Sequence, residues 1–341
     1  TNYEPIYSVY PDGTNYPSGT AANPVSNRFP GVFPDLMQDY TMPDGSVIPV
    51  SAPYEIKPND IIGGFFNQGT TQDHSVSISS GGENTSLNAG FSQMIQEGII
   101  PNQTASRSSL YTGGNSVLDN GIILSGTINY VNTKQKSPTS GASAFNDYFG
   151  GGGGSIYSRL FYLPRNFDLN NLPWENPADG SNIFYRALDN PIWIANNNFY
   201  ESDVNRIYGN LTASYDISEG INILLKGGIN TYHEARRNNV RSGGISNPDG
   251  YVSTVDLNNS EKDFTALLSI DKTLTDNISL KGTFGFNANE RKLTGRGVTG
   301  NTIISTGLNV TNATSTQIVD TDFTRKRRIY GYFADLSFGY K

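Results

Sequence analysis

Apolar and polar residues alternate along nine segments of this chain, and this alternation constrains its fold more than any other feature. In segment 205–217, for example, Ile207, Leu211 and Ala213 share one face. A period of two is typical of a β-strand with one apolar face. The pattern therefore predicts an all-β fold of about nine strands. The segments are 73–80, 85–94, 106–117, 122–132, 205–217, 221–232, 263–274, 278–288 and 327–341.

The connections between these segments alternate between short and long. Tight turns are predicted at 81–84, at Asn120–Gly121, at 218–220 and at 275–277. Longer connections are predicted at 96–105, 133–203, 233–262 and 290–324. A soluble β-sandwich has no reason to place every long connection at one end. A transmembrane β-barrel has short periplasmic turns and long extracellular loops. The sequence therefore predicts an antiparallel transmembrane β-barrel.

The two faces of the predicted strands suit lipid on one side and a wet lumen on the other. A Lys or Arg at mid-bilayer on the lipid face costs about 2–4 kcal/mol, and the apolar registers carry no charge in mid-strand. Lys272 lies in an apolar register but close to a turn, where its amine can reach the interface. The predicted lipid-facing residues are Leu211, Ala213, Tyr215, Leu225, Ile229, Leu268, Leu280, Phe284, Tyr332, Leu336 and Phe338. The predicted lumen-facing residues are Asn222, Lys226, Asn230, Asp271, Lys281 and Asn287.

The strand pattern divides the chain into two regions. Residues 1–58 contain ten of the 17 prolines and little periodicity, so we predict an irregular segment there, an extracellular loop. Residues 59–341 are predicted to form a partial barrel with a long extracellular loop at 133–203. Single-chain bacterial barrels have an even number of strands, and segment 327–341 has no returning partner. We therefore expect these strands to belong to a larger barrel.

Composition and motifs argue against several classes of protein. A net charge of −7 and a pI near 4.9 argue against nucleic acid as a partner. The chain has no cysteine, and its two histidines, His74 and His233, lie on different segments, so we predict no metal site. The glycine run 150–154 lacks the Lys-Ser/Thr of a phosphate loop. With no catalytic constellation and no cofactor motif, we predict that the chain is not an enzyme.

The long connection 133–203 contains the candidate contact residues. Loops of this length are usually functional or disordered. Its aromatic side chains could contact a substrate or a protein lid, or could form a small core of the loop itself. The asparagine- and aspartate-rich stretch 168–180 could bind Ca²⁺ through oxygen ligands, but self-hydrogen-bonded Asx turns are the favoured interpretation. The candidate aromatic residues are Tyr157, Phe161, Trp174 and Trp193.

Three stretches together carry a resemblance to a known family. They are HSVSISSGGENTSLNAGFSQMIQEGII at 74–100, NPIWIANNN at 190–198 before Arg206 and Ile207, and RRIYGYFADLSFGYK at 327–341. This set resembles the barrel of SusC/RagA-type TonB-dependent outer-membrane transporters. The resemblance covers residues 55–341 and is densest at its two ends.

The resemblance implies a fold and a function. Transporters of this class are single-chain barrels, and outer-membrane transporters of 22 strands with a plugged lumen are known. They import oligosaccharides or peptides in Bacteroidota, powered through TonB, with a SusD-like surface lipoprotein as a lid. We expect the plug domain that contacts TonB to lie outside this sequence, in which no such domain is found. Two other hypotheses stay open: a passive porin, and a secreted carbohydrate-binding β-sandwich or adhesin.

Overall fold

The architecture is a single large antiparallel sheet with short helices near one end. The computed structural model describes residues 40–41, 47–48, 61–138, 156, 160, 169–170, 174–183, 189–305 and 307–340. Two short helices are α1 (Ile61–Phe65) and α2 (Pro191–Asn197). The strands are β1 (Tyr40–Thr41), β2 (Val47–Ile48), β3 (Thr70–Gly81), β4 (Thr85–Glu97), β5 (Thr104–Val117), β6 (Ile123–Pro138), β7 (Phe199–Ser218), β8 (Ile221–Val240), β9 (Tyr251–Thr275), β10 (Ile278–Ile303) and β11 (Thr314–Tyr340).

Strands β3 to β11 form one nine-stranded sheet in sequential order, and each consecutive pair is antiparallel. The predicted strand number is therefore confirmed. In the part of the chain that the structure describes, the sheet is not closed, and β3 and β11 are its edges. Tyr40–Thr41 and Val47–Ile48 pair separately with each other, within the region predicted to be irregular.

The alternation of short and long connections is also present. Turns at 82–84, 118–122, 219–220 and 276–277 lie at one end of the sheet. In the second of these, Gly121 has φ of 84° and its N–H donates to the Leu118 carbonyl at 2.8 Å, so the predicted Asn120–Gly121 turn forms. The opposite end carries the connections 98–103, 139–198, 241–250 and 304–313.

The later strands are much longer than the sequence indicated. We predicted about 8–15 residues, whereas β7 to β11 contain 20, 20, 25, 26 and 27 residues. The long connections predicted at 233–262 and 290–324 are therefore wrong in extent, since β8 continues to Val240 and β10 to Ile303. The reason is that backbone pairing persists where both faces are polar. There the side chains pair as ions, such as Lys136 with Glu201 at 3.5 Å, and hydropathy no longer alternates.

The pairing register brings the apolar sides of all nine strands to one face of the sheet, the apolar face. Leu225 is the register partner of both Ala213 and Ala266. Phe284 is in turn the partner of both Leu268 and Ala334. Many of these side chains are highly exposed: 62% for Leu211, 70% for Phe338 and 82% for Tyr332. Soluble proteins rarely leave so large an apolar surface uncovered.

Buried apolar side chains are concentrated at the end of the sheet that carries the long connections. Trp193 and Ile194 in α2 are buried, as are Val240 at the end of β8 and Val252 at the start of β9. Between the turns and this end, the described side chains on the two faces of the sheet are mostly exposed or half-buried. Among the described residues, no helix is both long enough and apolar enough to cross a membrane.

Candidate functional site: the polar face and the loops

The six residues predicted to face a lumen lie together on the side of the sheet opposite the apolar face, which we call the polar face. Lys226 on β8 is the register partner of Thr265 on β9, which is itself the partner of Asn287 on β10. Lys281 is likewise the partner of Asp271. Asn222 and Asn230 follow in the same alternation as Lys226. That this face borders a lumen stays a prediction.

The polar face carries a continuous side-chain hydrogen-bond network. Asn287 Nδ2 donates to Asp263 Oδ2 at 3.2 Å and to Thr265 Oγ1 at 2.9 Å. Asn289 Nδ2 donates to Glu261 Oε1 at 3.1 Å, and the same carboxylate accepts from Arg291 Nε at 2.7 Å. These hydrogen bonds link side chains of β9 and β10 across the polar face.

Nearer the turns, the same face carries smaller polar clusters. Lys281 Nζ lies 2.9 Å from Asp271 Oδ2, and both side chains are exposed. Asn222 Nδ2 donates to Asp216 Oδ1 at 2.7 Å and to Ser214 Oγ at 3.0 Å. These contacts are solvent-exposed, so each contributes little to stability. Their chemistry suits a hydrated surface.

Three arginines of the polar face, Arg291, Arg325 and Arg327, were not predicted as candidate site residues. Arg291 is the register partner of Arg327, and Arg325 faces the same side two residues along β11. Among the described residues, Arg291 forms an ion pair with Glu261, whereas Arg325 and Arg327 form none. Arg325 Cζ lies 4.9 Å from the centre of the Phe323 ring. Like charges placed directly opposite each other are unfavourable. Sequence alternation indicates the face of Arg327, but only the register places Arg291 beside it.

Two aromatic rings on this face lie over glycines in the neighbouring strand. Phe333 covers Gly285, where an added Cβ would collide with the ring, and Tyr111 covers Gly90 in the same way. These rings can lie flat against the sheet because their neighbours lack a side chain. The two rings therefore add apolar surface to an otherwise polar face.

All eleven residues predicted to face lipid lie in registers of the apolar face. Tyr332 pairs with Phe286, Leu336 with Gly282, and Phe338 with Leu280. The remaining eight follow the same alternation along β7, β8, β9 and β10. Their contact with lipid stays a prediction.

Trp193 lies in helix α2, within a segment where we predicted a long loop. Asn190 caps this helix, because its Oδ1 accepts a hydrogen bond from Ile192 N at 2.9 Å, and Pro191 follows at the first helical position. Asparagine followed by proline is a helix-start signal that could have been read from the sequence. Trp193 is fully buried, and its Nε1 donates to the Gly180 carbonyl at 3.1 Å. This burial agrees with the alternative in which the aromatic residues form the core of the loop.

The loop between β8 and β9 packs directly on α2. Ile245 N donates to Asp189 Oδ1 at 2.6 Å, and a Cβ added to Gly244 would lie 3.2 Å from the Trp193 ring. Arg241, which directly follows β8, forms an ion pair with Glu175 at 3.2 Å. Trp174 is half-buried beside this cluster, whereas Tyr157 and Phe161 lie outside the described residues. Two connections that are distant in the sequence therefore form one ordered cap.

The described part of 168–180 forms turns stabilised by its own side chains. Asn176 Oδ1 accepts from Ala178 N at 3.0 Å, and Asp179 Oδ1 accepts from Ser181 N at 2.9 Å. Hydrogen bonds from the Ser181 side chain and backbone hold the pKa of the Asp179 carboxyl below its usual range. These are Asx turns, the interpretation that we favoured over a calcium site.

Beyond the apolar residues of β8, the Glu234 carboxylate accepts three hydrogen bonds. Arg236 donates to it through Nε at 2.7 Å and through Nη2 at 2.9 Å, and Ser202 Oγ donates at 2.9 Å. The hydrogen bonds from Arg236, followed by that from Ser202, hold the pKa of Glu234 below its usual range despite partial burial. The Glu234 carboxylate raises the pKa of Arg236 in return.

Comparison with solved structures finds the same fold in a peptide importer. The RagAB peptide transporter matches with a TM-score of 0.63 at 14% sequence identity. The RagAB peptide importer matches with a TM-score of 0.62 in its closed-closed state and 0.63 in its open-open state, both at 15% identity. Each match covers 82% of this chain.

The chain has the fold of part of a transporter β-barrel. It spans about a third of the importer's length, since each match covers 31% of that chain. The resemblance to SusC/RagA-type transporters that the sequence indicated is thus confirmed at the level of the fold. No protein-family model matches the sequence, and no curated protein does.

Proposed function

We propose that this chain is a section of the barrel of a TonB-dependent importer in the bacterial outer membrane. The observation that carries this proposal is the pairing register, which puts the apolar sides of all nine strands on one face and the polar sides on the other. The shared fold with the RagAB peptide importer supports it. In this arrangement the apolar face meets lipid, and the polar face borders the path of the imported molecule.

The cargo that best suits the polar face is a peptide, with an oligosaccharide as the second candidate. Arg325 and Arg327 have no ion-pair partner among the described residues, and guanidinium groups bind carboxylates in a bidentate manner. A peptide always offers carboxylates or backbone carbonyls to such groups, whereas a neutral oligosaccharide offers hydroxyls. The similar RagAB structures are described as a peptide importer, which supports the same choice.

The partners that we propose follow from the two ends of the barrel. The cap formed by α2 and the β8–β9 loop stands at the end with the long connections, which we assign to the cell exterior. We propose that a SusD-like surface lipoprotein covers this end and that half-buried Trp174 is among the residues it contacts. TonB would act on a plug domain encoded outside this sequence.

The test is uptake by the full-length gene product in its own outer membrane. Cells with and without the gene are given a fluorescent peptide or a fluorescent oligosaccharide, with and without an agent that collapses the proton gradient. We expect gene-dependent peptide uptake that stops when the gradient collapses. Uptake that continues would favour the passive porin. A protein that leaves the cells without detergent would favour the secreted β-sandwich.

A further inference from the structure

The structure contains an unbalanced group of cations on the apolar face, which we call the basic cluster: Lys262, Lys292, Lys326 and Arg328. The cluster lies on three adjacent strands, directly beyond the last apolar row. In that row Ala288 is the partner of both Phe264 and Tyr330. One step further along each strand, Glu290 is the partner of both Lys262 and Arg328, and Lys292 is the partner of Lys326.

The four cations of the basic cluster share a single acidic neighbour, Glu290. Glu290 accepts from Arg328 Nε at 2.5 Å and lies 3.2 Å from Lys326 Nζ. Among the described residues, Lys262 and Lys292 form no ion pair. The Glu290 carboxylate thus orders two cations and leaves the other two free. Their amines face solvent at the boundary of the apolar surface.

Elsewhere on the same face and beyond the apolar residues, three cations form ion pairs with acidic residues. Lys134 lies 3.7 Å from Asp203, and Lys136 lies 3.5 Å from Glu201. His233 lies 3.7 Å from Asp256. Arg237 and Arg296 form no ion pair among the described residues, but each has an acidic register partner, Glu201 for Arg237 and Asp256 for Arg296. This matched pairing is what a sheet surface in water is expected to show, since unpaired like charges repel each other. The excess of positive charge is therefore local to β9, β10 and β11.

The position of the cluster determines what can reach it. If the apolar face meets lipid, as the proposed function states, then Tyr330 and Tyr332 lie at the membrane interface, where tyrosine is enriched. The groups in contact with the next residues are then lipid headgroups. Phosphate is the anionic group that such headgroups carry, and Lys and Arg are its usual ligands. We propose that the basic cluster binds the phosphate group of an outer-leaflet lipid.

The two free lysines lie away from the edge of the sheet. Lys262 is on β9 and Lys292 on β10, whereas β11 is the edge strand. A strand that pairs with β11 can reach Lys326 and Arg328 with its own carboxylates but is separated from Lys262 by two strands. Lys262 and Lys292 are therefore the residues whose replacement tests the lipid phosphate.

The experiment uses the full-length gene product purified from outer membranes in a mild detergent. Lipid that remains bound is extracted, identified by mass spectrometry and quantified by its phosphorus. We compare the wild type, the variant K262Q/K292Q and the control K134Q/K136Q, in which the replaced lysines have acidic partners on the same face. We expect K262Q/K292Q to retain about ten times less phosphorylated lipid than the wild type. The control K134Q/K136Q should retain as much as the wild type. Equal retention by all three would overturn the proposal.

Two further measurements separate the sources of phosphate and the causes of a loss. Delipidated protein is titrated with inorganic phosphate and with detergent micelles containing phosphatidic acid. Tight binding of phosphate alone, with no phospholipid recovered, would overturn the lipid assignment. K262R/K292R should restore retention if charge is the cause. Membrane fractionation tests the proposed function separately. A protein that is absent from the outer-membrane fraction contradicts the proposed function before any bound lipid is measured.

Discussion

Arg291 and Arg327 lie directly opposite each other on the polar face, as register partners in the β10–β11 ladder. Glu261 binds Arg291 through a 2.7 Å hydrogen bond from Nε, while Arg327 has no ion-pair partner among the described residues. Two guanidinium groups in this relation are held together by backbone pairing despite their repulsion. The Arg327 guanidinium is thus a charged donor without an ion-pair partner among the described residues, which our proposal assigns to the cargo.

The variant R327Q should therefore separate binding from stability. Removing one of two opposed charges should stabilise the β10–β11 pair by about 0.2–1 kcal/mol, as for other cross-strand pairs. It should also raise KM for a labelled peptide with a free carboxylate several-fold. KM for the same peptide with its carboxyl groups amidated should change little. An equal rise in KM for both peptides would argue against carboxylate recognition.

Adjacent residues on opposite faces provide a test of which face meets lipid. Leu268 lies on the apolar face, and Ser269, the partner of Asn222, lies on the polar face. L268R should destabilise the protein in lipid by about 2–4 kcal/mol, because a charge is then placed in the hydrocarbon. S269R places the same side chain on the polar face and should have a much smaller effect. The free energy of unfolding in lipid vesicles, measured by urea titration, distinguishes the two faces. If both variants were destabilised equally, the assignment of the faces would be wrong.

The carboxylate of Glu234 predicts part of the acid sensitivity of the protein. Its pKa is depressed in the folded state, mainly by hydrogen bonds from Arg236 and then by that from Ser202. A depressed folded-state pKa contributes stability above the unfolded pKa of about 4.3, and this contribution is lost as the pH falls through the folded value. E234Q should lower stability at pH 7, and its effect should become smaller as the pH falls towards 3.

The measurement for Glu234 is the unfolding midpoint of the wild type and of E234Q at several values of pH between 3 and 7. The difference between the two midpoints should shrink as the pH falls below about 4.3. The variant E219Q is the control, since the Glu219 carboxylate lies in an exposed turn and has no ion-pair partner among the described residues. A constant difference across this range would show that Glu234 contributes by packing alone.

Replacement of the buried tryptophan should disorder the cap. W193A removes a ring that is fully buried against the β8–β9 loop, and such truncations cost about 3–5 kcal/mol. We expect faster hydrogen exchange and proteolysis in residues 189–198 and 241–250, with the sheet unchanged. W193F should retain most of the packing and lose the hydrogen bond to Gly180. W174A is the comparison variant. Because the Trp174 ring is only half-buried, its loss should weaken binding of the proposed surface lipoprotein more than it disorders the cap. Unchanged exchange in W193A would contradict the structural role.

The sequence indicated the strand count and the two faces because these depend on local geometry. Side chains alternate in every extended segment, so Leu211, Ala213 and Tyr215 share a face whatever their neighbours are. The turn at Asn120–Gly121 was likewise visible, since its conformation depends on two adjacent residues. The start of helix α2 could have been predicted from Asn190 and Pro191 but was not.

The tertiary structure decided what depends on residues distant in the sequence. Which residues face each other across a hairpin depends on how the two whole strands pair. Only this pairing places Arg327 opposite Arg291 and gathers Lys262, Lys292 and Lys326 beyond one apolar row. Strand extension past the apolar rows leaves no hydropathy signal, because both faces are then polar. The burial of Trp193 depends on a loop about fifty residues away in the chain, whose approach requires that β7 and β8 first pair. Alternation is a property of the extended backbone alone, whereas register and burial are properties of the assembled sheet.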